Sequence, residues 1–176
     1  RLQQNLAEFQ HGLKAFYPFN GNANDESGND HNGTVSGAVP TSDIHQDANR
    51  SYSFDGTDDV ITVPDHADLN FGSQDMSVSF WLRFDGAEQR SQILGQSDGP
   101  GPKNKWIIDY LDLNGSKKMA FHLNSTPTGA HWLAPISRPY NNDWYQVVYV
   151  KRGSKYSAYV NGVLENNSTG PATLPD

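Results

Sequence analysis

Residues 76–84 read Met-Ser-Val-Ser-Phe-Trp-Leu-Arg-Phe, and their alternation decides the fold class. Val78, Phe80, Leu82 and Phe84 fall on one side of an extended chain, with Ser77, Ser79, Trp81 and Arg83 on the other. A period of two marks a half-buried strand, because successive side chains of a pleated backbone point to opposite faces. Working outward, apolar or alternating stretches at 15–19, 52–54, 60–63, 92–94, 106–111, 119–123, 131–133, 145–151 and 156–160 read as further strands. Asn-Gly pairs at 20–21, 32–33, 114–115 and 161–162 punctuate them, and these residues tolerate the positive φ of tight turns. About ten short strands at such spacing predict an all-β fold, a two-sheet antiparallel β-sandwich or jelly roll.

Composition agrees. The 176 residues suffice for one domain with a core, and 16 Gly with 10 Pro suit a loop-rich β domain. Four Trp, eight Tyr and eight Phe supply the anchors of that core. The net charge is −7, and only four of the twenty acids are Glu, at 8, 26, 88 and 165. Asp, unlike Glu, belongs in turns and oxygen-rich cation sites. An acidic chain without Lys/Arg clusters is no nucleic-acid binder. The absence of Cys excludes disulfides and thiolate metal sites. No apolar run reaches the ~18 residues of a membrane span, so no membrane insertion is expected of this segment. Residues 1–14 differ from the rest. Leu2, Leu6, Phe9 and Leu13 make one helical stripe, which predicts a short N-terminal helix or the end of a stalk before a domain over 15–176.

The segment 15–34, Ala-Phe-Tyr-Pro-Phe-Asn-Gly-Asn-Ala-Asn-Asp-Glu-Ser-Gly-Asn-Asp-His-Asn-Gly-Thr, closely resembles the opening of bacterial laminin-G-like domains. Residues 52–63, 76–83, 144–149 and 159–162 follow in that family's order. The resemblance implies a concanavalin A-like (pentraxin-like) jelly roll. It also implies an adhesive or carbohydrate-recognising role outside the cytoplasm, on a secreted, cell-surface or periplasmic protein. Two further closing strands are usual in the family, and the sequence ends at Asp176 before them, which predicts an open sheet edge.

The stretch 25–33 is the most chemically loaded. Ca²⁺ takes six to eight oxygens, and a Gly-broken loop of Asp, Ser and Asn can supply them. The resemblance implies a structural calcium ion held by Asp25 and by backbone oxygens around Asn29 and His31. The same loop can instead satisfy itself through side-chain turns onto its own backbone. A second acidic group, Asp55, Asp58 and Asp59, is either a hairpin turn or a calcium site at the rim.

Sugar recognition pairs flat aromatic rings with polar forks. The candidates lie in the two stretches least like the family: Trp106 at the end of 95–106, and His131, Trp132, Arg138 and Tyr140 in 124–142. Asp109 and Tyr110 could line a concave sheet face, whereas Trp81 and Trp144 sit in strand patterns that predict packing. Catalysis finds little support: no Glu-x-Asp-x-x-Glu strand sets paired carboxylates, and neither His-x-His nor Gly-x-Ser-x-Gly occurs. The expected function is a non-catalytic module that binds a glycan or polysaccharide. The alternative is a protein-interaction, adhesion or sensor domain on a helical stalk, whose partner is a protein surface.

Overall fold

The computed structural model describes residues 12–84, 91–97, 104–113, 116–125, 129–137 and 142–174. The chain divides into two compact units, residues 1–70 and 71–176.

In the first unit the strands are short. β1 (Thr34–Ser36) pairs with β4 (Val60–Thr62), and β2 (Val39–Thr41) with β3 (Ser51–Ser53), all antiparallel. A 3-10 turn, Ala67–Leu69, closes the unit. The rest is loop held by side chains. Gly33 is required by close approach, since a Cβ there would stand 2.8 Å from Ile61 Cγ2 and 3.0 Å from the Ala23 carbonyl oxygen. The strand expected over 15–19 does not form a ladder. Its backbone bonds go elsewhere: the Phe16 amide donates to Asp25, the Phe16 carbonyl accepts from the Glu26 amide, and Pro18 has no amide to give. Of the expected N-terminal helix, residues 1–11 lie outside the described residues; Gly12 sits in a turn at φ 83 and residues 13–14 are not helical.

The second unit is the sandwich. One sheet runs in the order β12 (Val163–Thr169), β11 (Lys155–Val160), β10 (Trp144–Arg152), β5 (Met76–Arg83). The other is a meander of β6 (Ser91–Ser97), β7 (Asn104–Leu113), β8 (Ser116–Ser125) and β9 (Gly129–Ser137). Every pairing within both sheets is antiparallel. The period of two does the sorting. Met76, Val147, Tyr149, Tyr156, Ala158 and Val160 from one sheet meet Trp106, Ile108, Met119, Phe121, Leu123, Leu133 and Ile136 from the other in a common core. Burying each large apolar side chain contributes about 1.5–3 kcal/mol. Val78, Phe80, Leu82 and Phe84 pack against that core, as their alternation predicts.

Polar bonds fix the two sheets along one edge. The Ala134 amide donates to Ser168 Oγ at 2.8 Å, and Asn166 Nδ2 donates to the Pro135 carbonyl at 2.6 Å. The Tyr156 hydroxyl, whose pKa burial pushes up to about 12, donates to the Pro171 carbonyl at 2.7 Å. Lys151 is also buried, with its ammonium bonded to the Gln74 carbonyl at 2.8 Å. Burial holds its pKa below the usual lysine value, against the opposing pull of Asp75.

Candidate functional site

Strand β8 carries two chemistries on its two sides. Met119, Phe121 and Leu123 point into the core, so Ala120 and His122 must point away from it. On β7 the same rule sends Trp106, Ile108 and Tyr110 one way, and Ile107 and Asp109 the other. The register then sets Ile107 opposite His122, Asp109 opposite Ala120, and Trp132 of β9 opposite His122. Residues directly or diagonally opposite on one face are within side-chain reach. His122 Nδ1 lies 3.3 Å from Asp109 Oδ2. The His122 and Trp132 rings stack with centroids 3.7 Å apart and planes 9° from parallel.

Asp109 and His122 are buried, at 1% and 4% exposure, while Trp132 is half-buried. A carboxylate against Nδ1 fixes the imidazole plane, and the imidazole in turn fixes the indole. The result is a preoriented aromatic plate backed by an acid and an imidazole, a combination able to stack on an apolar sugar face beside hydrogen-bonding groups. Gly95 of β6 faces Ile107 on this side, and no Cβ would fit there, because it would stand 2.4 Å from Ile107 Cγ2.

Among the residues expected to contact a ligand, the register brings Asp109 and Trp132 together through His122, which sequence reasoning missed. Its signal was parity: a polar residue between Phe121 and Leu123 in an otherwise core-directed strand. Trp106 and Tyr110 are corrections, since both are enclosed on the core side. Trp106 stacks on Phe121 at 5.6 Å and 9°, and Tyr110 packs on Phe84 at 5.2 Å. Neither ring is offered to a ligand. His131 is half-buried and pairs with Leu123, on the opposite face from Trp132. Arg138 and Tyr140 lie outside the described residues. Trp81 departs from its packing expectation: it is 50% exposed, on the outer face of β5, across from Gln146. Trp144 is half-buried, with the Arg83 guanidinium 5.2 Å from its ring centroid.

The loop expected to hold calcium is satisfied from within. Asp25 Oδ1 accepts from the Phe16 amide at 2.8 Å and the Ser27 amide at 2.9 Å. Its Oδ2 accepts from Ser27 Oγ at 2.8 Å and the His31 amide at 3.1 Å. A carboxylate has about four acceptor positions, and here all four are taken. Burial works to raise the Asp25 pKa, but these hydrogen bonds prevail and hold it below the ordinary value. Asn29 Nδ2 donates to the Leu13 and Lys14 carbonyls, and the His31 carbonyl accepts from Tyr17 at 2.6 Å. The Tyr17 phenol is pushed up to about 12, first by burial and then by the Asp25 charge.

All four acceptor positions of Asp25 are thus used within the loop, and a calcium ion on that carboxylate would have to displace some of these donors. Asp55 belongs to a different group, with Asp58 and Asp59. Its carboxylate caps the Thr57 amide at 2.8 Å, and its own amide donates to Asp59 Oδ2 at 2.8 Å, which is turn chemistry.

A sandwich of two antiparallel sheets is the architecture of the concanavalin A-like class. Residues 55–176 match the laminin-G type model described as the concanavalin A-like lectin/glucanases superfamily, and the chain belongs to that family. Among solved structures it is similar to domain 4 of AbnA, a GH43 extracellular arabinanase from Geobacillus stearothermophilus, in complex with arabinotriose. That likeness has a TM-score of 0.63 and 19% identity, and it covers 92% of this chain and 77% of the other. At that identity it speaks for the fold. Curated protein sequences gave no match.

Proposed function

We propose that this chain is a non-catalytic carbohydrate-binding module of an exported or cell-surface protein, and that it holds a polysaccharide segment on the face bearing Trp132, His122 and Asp109. The observation that carries the reading is the half-buried Trp132 ring stacked at 3.7 Å on an imidazole that is itself braced by a buried carboxylate. An indole held this way gives up little side-chain freedom when a pyranose or furanose ring lands on it, so most of the stacking energy survives as affinity. The family and the fold likeness to a domain bound to arabinotriose support the choice of ligand class. Calcium is not part of this reading, because none of its observations draws on the loop over 25–33.

The test is isothermal titration with arabinotriose first, then with a panel of soluble polysaccharides, on wild type and Trp132→Ala. Micromolar to millimolar binding by wild type that weakens tenfold or more in Trp132→Ala is expected. Equal binding by both proteins would move the site elsewhere, and no binding across the panel would remove the function.

A further inference from the structure

The first unit contains a cluster that the carbohydrate reading does not use. His31, from the loop before β1, and His66 and Asp68, from the 3-10 turn after β4, bring one ligand atom each to within 4.8 Å of one another. Asp68 Oδ2 lies 3.4 Å from His66 Nδ1 and 3.9 Å from His31 Nε2. The two imidazole centroids are 4.7 Å apart. His31 is 4% exposed, and its Nε2 has no hydrogen-bond partner among the described residues. An unsatisfied buried nitrogen costs on the order of 1–3 kcal/mol, so a native structure holding one calls for a reason.

We propose that His31, His66 and Asp68 form a structural zinc site, with a water molecule as the fourth ligand. Zinc bonds of about 2.0–2.1 Å to nitrogen and oxygen put tetrahedral ligands roughly 3.3–3.4 Å apart, close to the 3.4 Å and 3.9 Å that already separate Asp68 Oδ2 from the two imidazole nitrogens. Two imidazoles and one carboxylate are donors for zinc and its neighbours in the transition series, not for calcium or magnesium. The rest of the cluster is compatible with that assignment. Lys14 Nζ stands 3.9 Å from Asp68 Oδ1, which leaves Oδ2 for the metal. His66 Nδ1 is unprotonated, since it accepts from the Asp68 amide at 3.2 Å, and the metal would displace that long cap bond to take the same lone pair.

His66 and Asp68 are about half exposed, which leaves the fourth position open to water. The ion would staple the loop around residue 31 to the turn at residue 67, where the side chains already approach one another. All three residues of this site belong to the first unit.

The protein is stripped with chelator and then titrated with zinc chloride by calorimetry, with cobalt(II) absorption as a second readout. Uptake of one equivalent is expected, with a visible d–d band from the cobalt form and a rise of several degrees in Tm at saturating zinc. Both His66→Ala and Asp68→Asn are expected to lose tenfold or more in zinc affinity. Asp68→Asn changes an exposed side chain and is expected to keep the wild-type Tm in chelator, whereas His66→Ala also removes the cap on the Asp68 amide and is read against its own Tm in chelator. Wild type that takes up no zinc would overturn the proposal, as would affinity unchanged in both variants.

Discussion

Two tryptophans of one sheet sit in mirrored positions and meet opposite fates. Trp106 of β7 stacks on Phe121, and Trp132 of β9 stacks on His122, both with planes 9° apart. Phe121 and His122 are consecutive in β8, so the pleat sends one pair into the core and the other to the far face. The inner indole is buried among Phe71, Phe121 and the rest of the core. The outer one rests on a polar residue with a carboxylate behind it. Parallel ring pairs therefore serve cohesion on one side of the strand and, on our reading, recognition on the other.

The sharpest way to break this comparison is to truncate both rings. Trp106→Ala removes a large aromatic from a packed core and is expected to cost about 3–5 kcal/mol of stability, read by denaturant unfolding. Trp132→Ala is expected to cost about 1 kcal/mol or less in the same experiment and to show its effect in glycan affinity. If the two variants lost equal stability, the outer pair would be packing, not recognition.

A second contrast lies between two buried carboxylates: Asp25, which takes four donors of its own loop, and Asp109, which lies against His122. Asp25→Ala strands four donors, three of them the backbone amides of Phe16, Ser27 and His31, and is expected to cost roughly 3 kcal/mol at neutral pH. The sign with pH follows from the depressed Asp25 pKa. Its contribution is complete above the unfolded carboxyl value of about 4 and fades as pH falls through the lower folded value. The stability gap between wild type and Asp25→Ala should therefore narrow on acidification, as followed by thermal scans from pH 7 downward. Added calcium should leave the wild-type Tm where it is.

The smallest effect is expected at Trp81, which the outer face of β5 leaves 50% exposed. Trp81→Ser should change stability by no more than about 0.5 kcal/mol and leave glycan affinity at the wild-type value. A loss of affinity there, with none in Trp132→Ala, would transfer recognition to the other sheet.

The alternation of residues 76–84, the Asn-Gly turn at 161–162 and the aromatic-rich, Cys-free composition were enough to determine an all-β sandwich, because strand parity and turn chemistry are local properties. Even the exposure of Trp81 is consistent with that parity, which sets it opposite Val78, Phe80, Leu82 and Phe84, although its strand pattern argued for packing. Residues 15–19 show the limit of local reading: the aromatic run looks like a strand, but its amide at Phe16 is claimed by a carboxylate nine residues on.

Sites were less legible still. Only the pairing register of β7, β8 and β9 puts Asp109, His122 and Trp132 on one face while hiding Trp106 and Tyr110 on the other. Likewise, only the path of the first unit brings His31 to His66 and Asp68, 35 residues and more along the chain. Spacing along a sequence reports neighbours within one element, whereas ligand sets assembled from several elements exist only once long-range pairing has fixed where those elements lie.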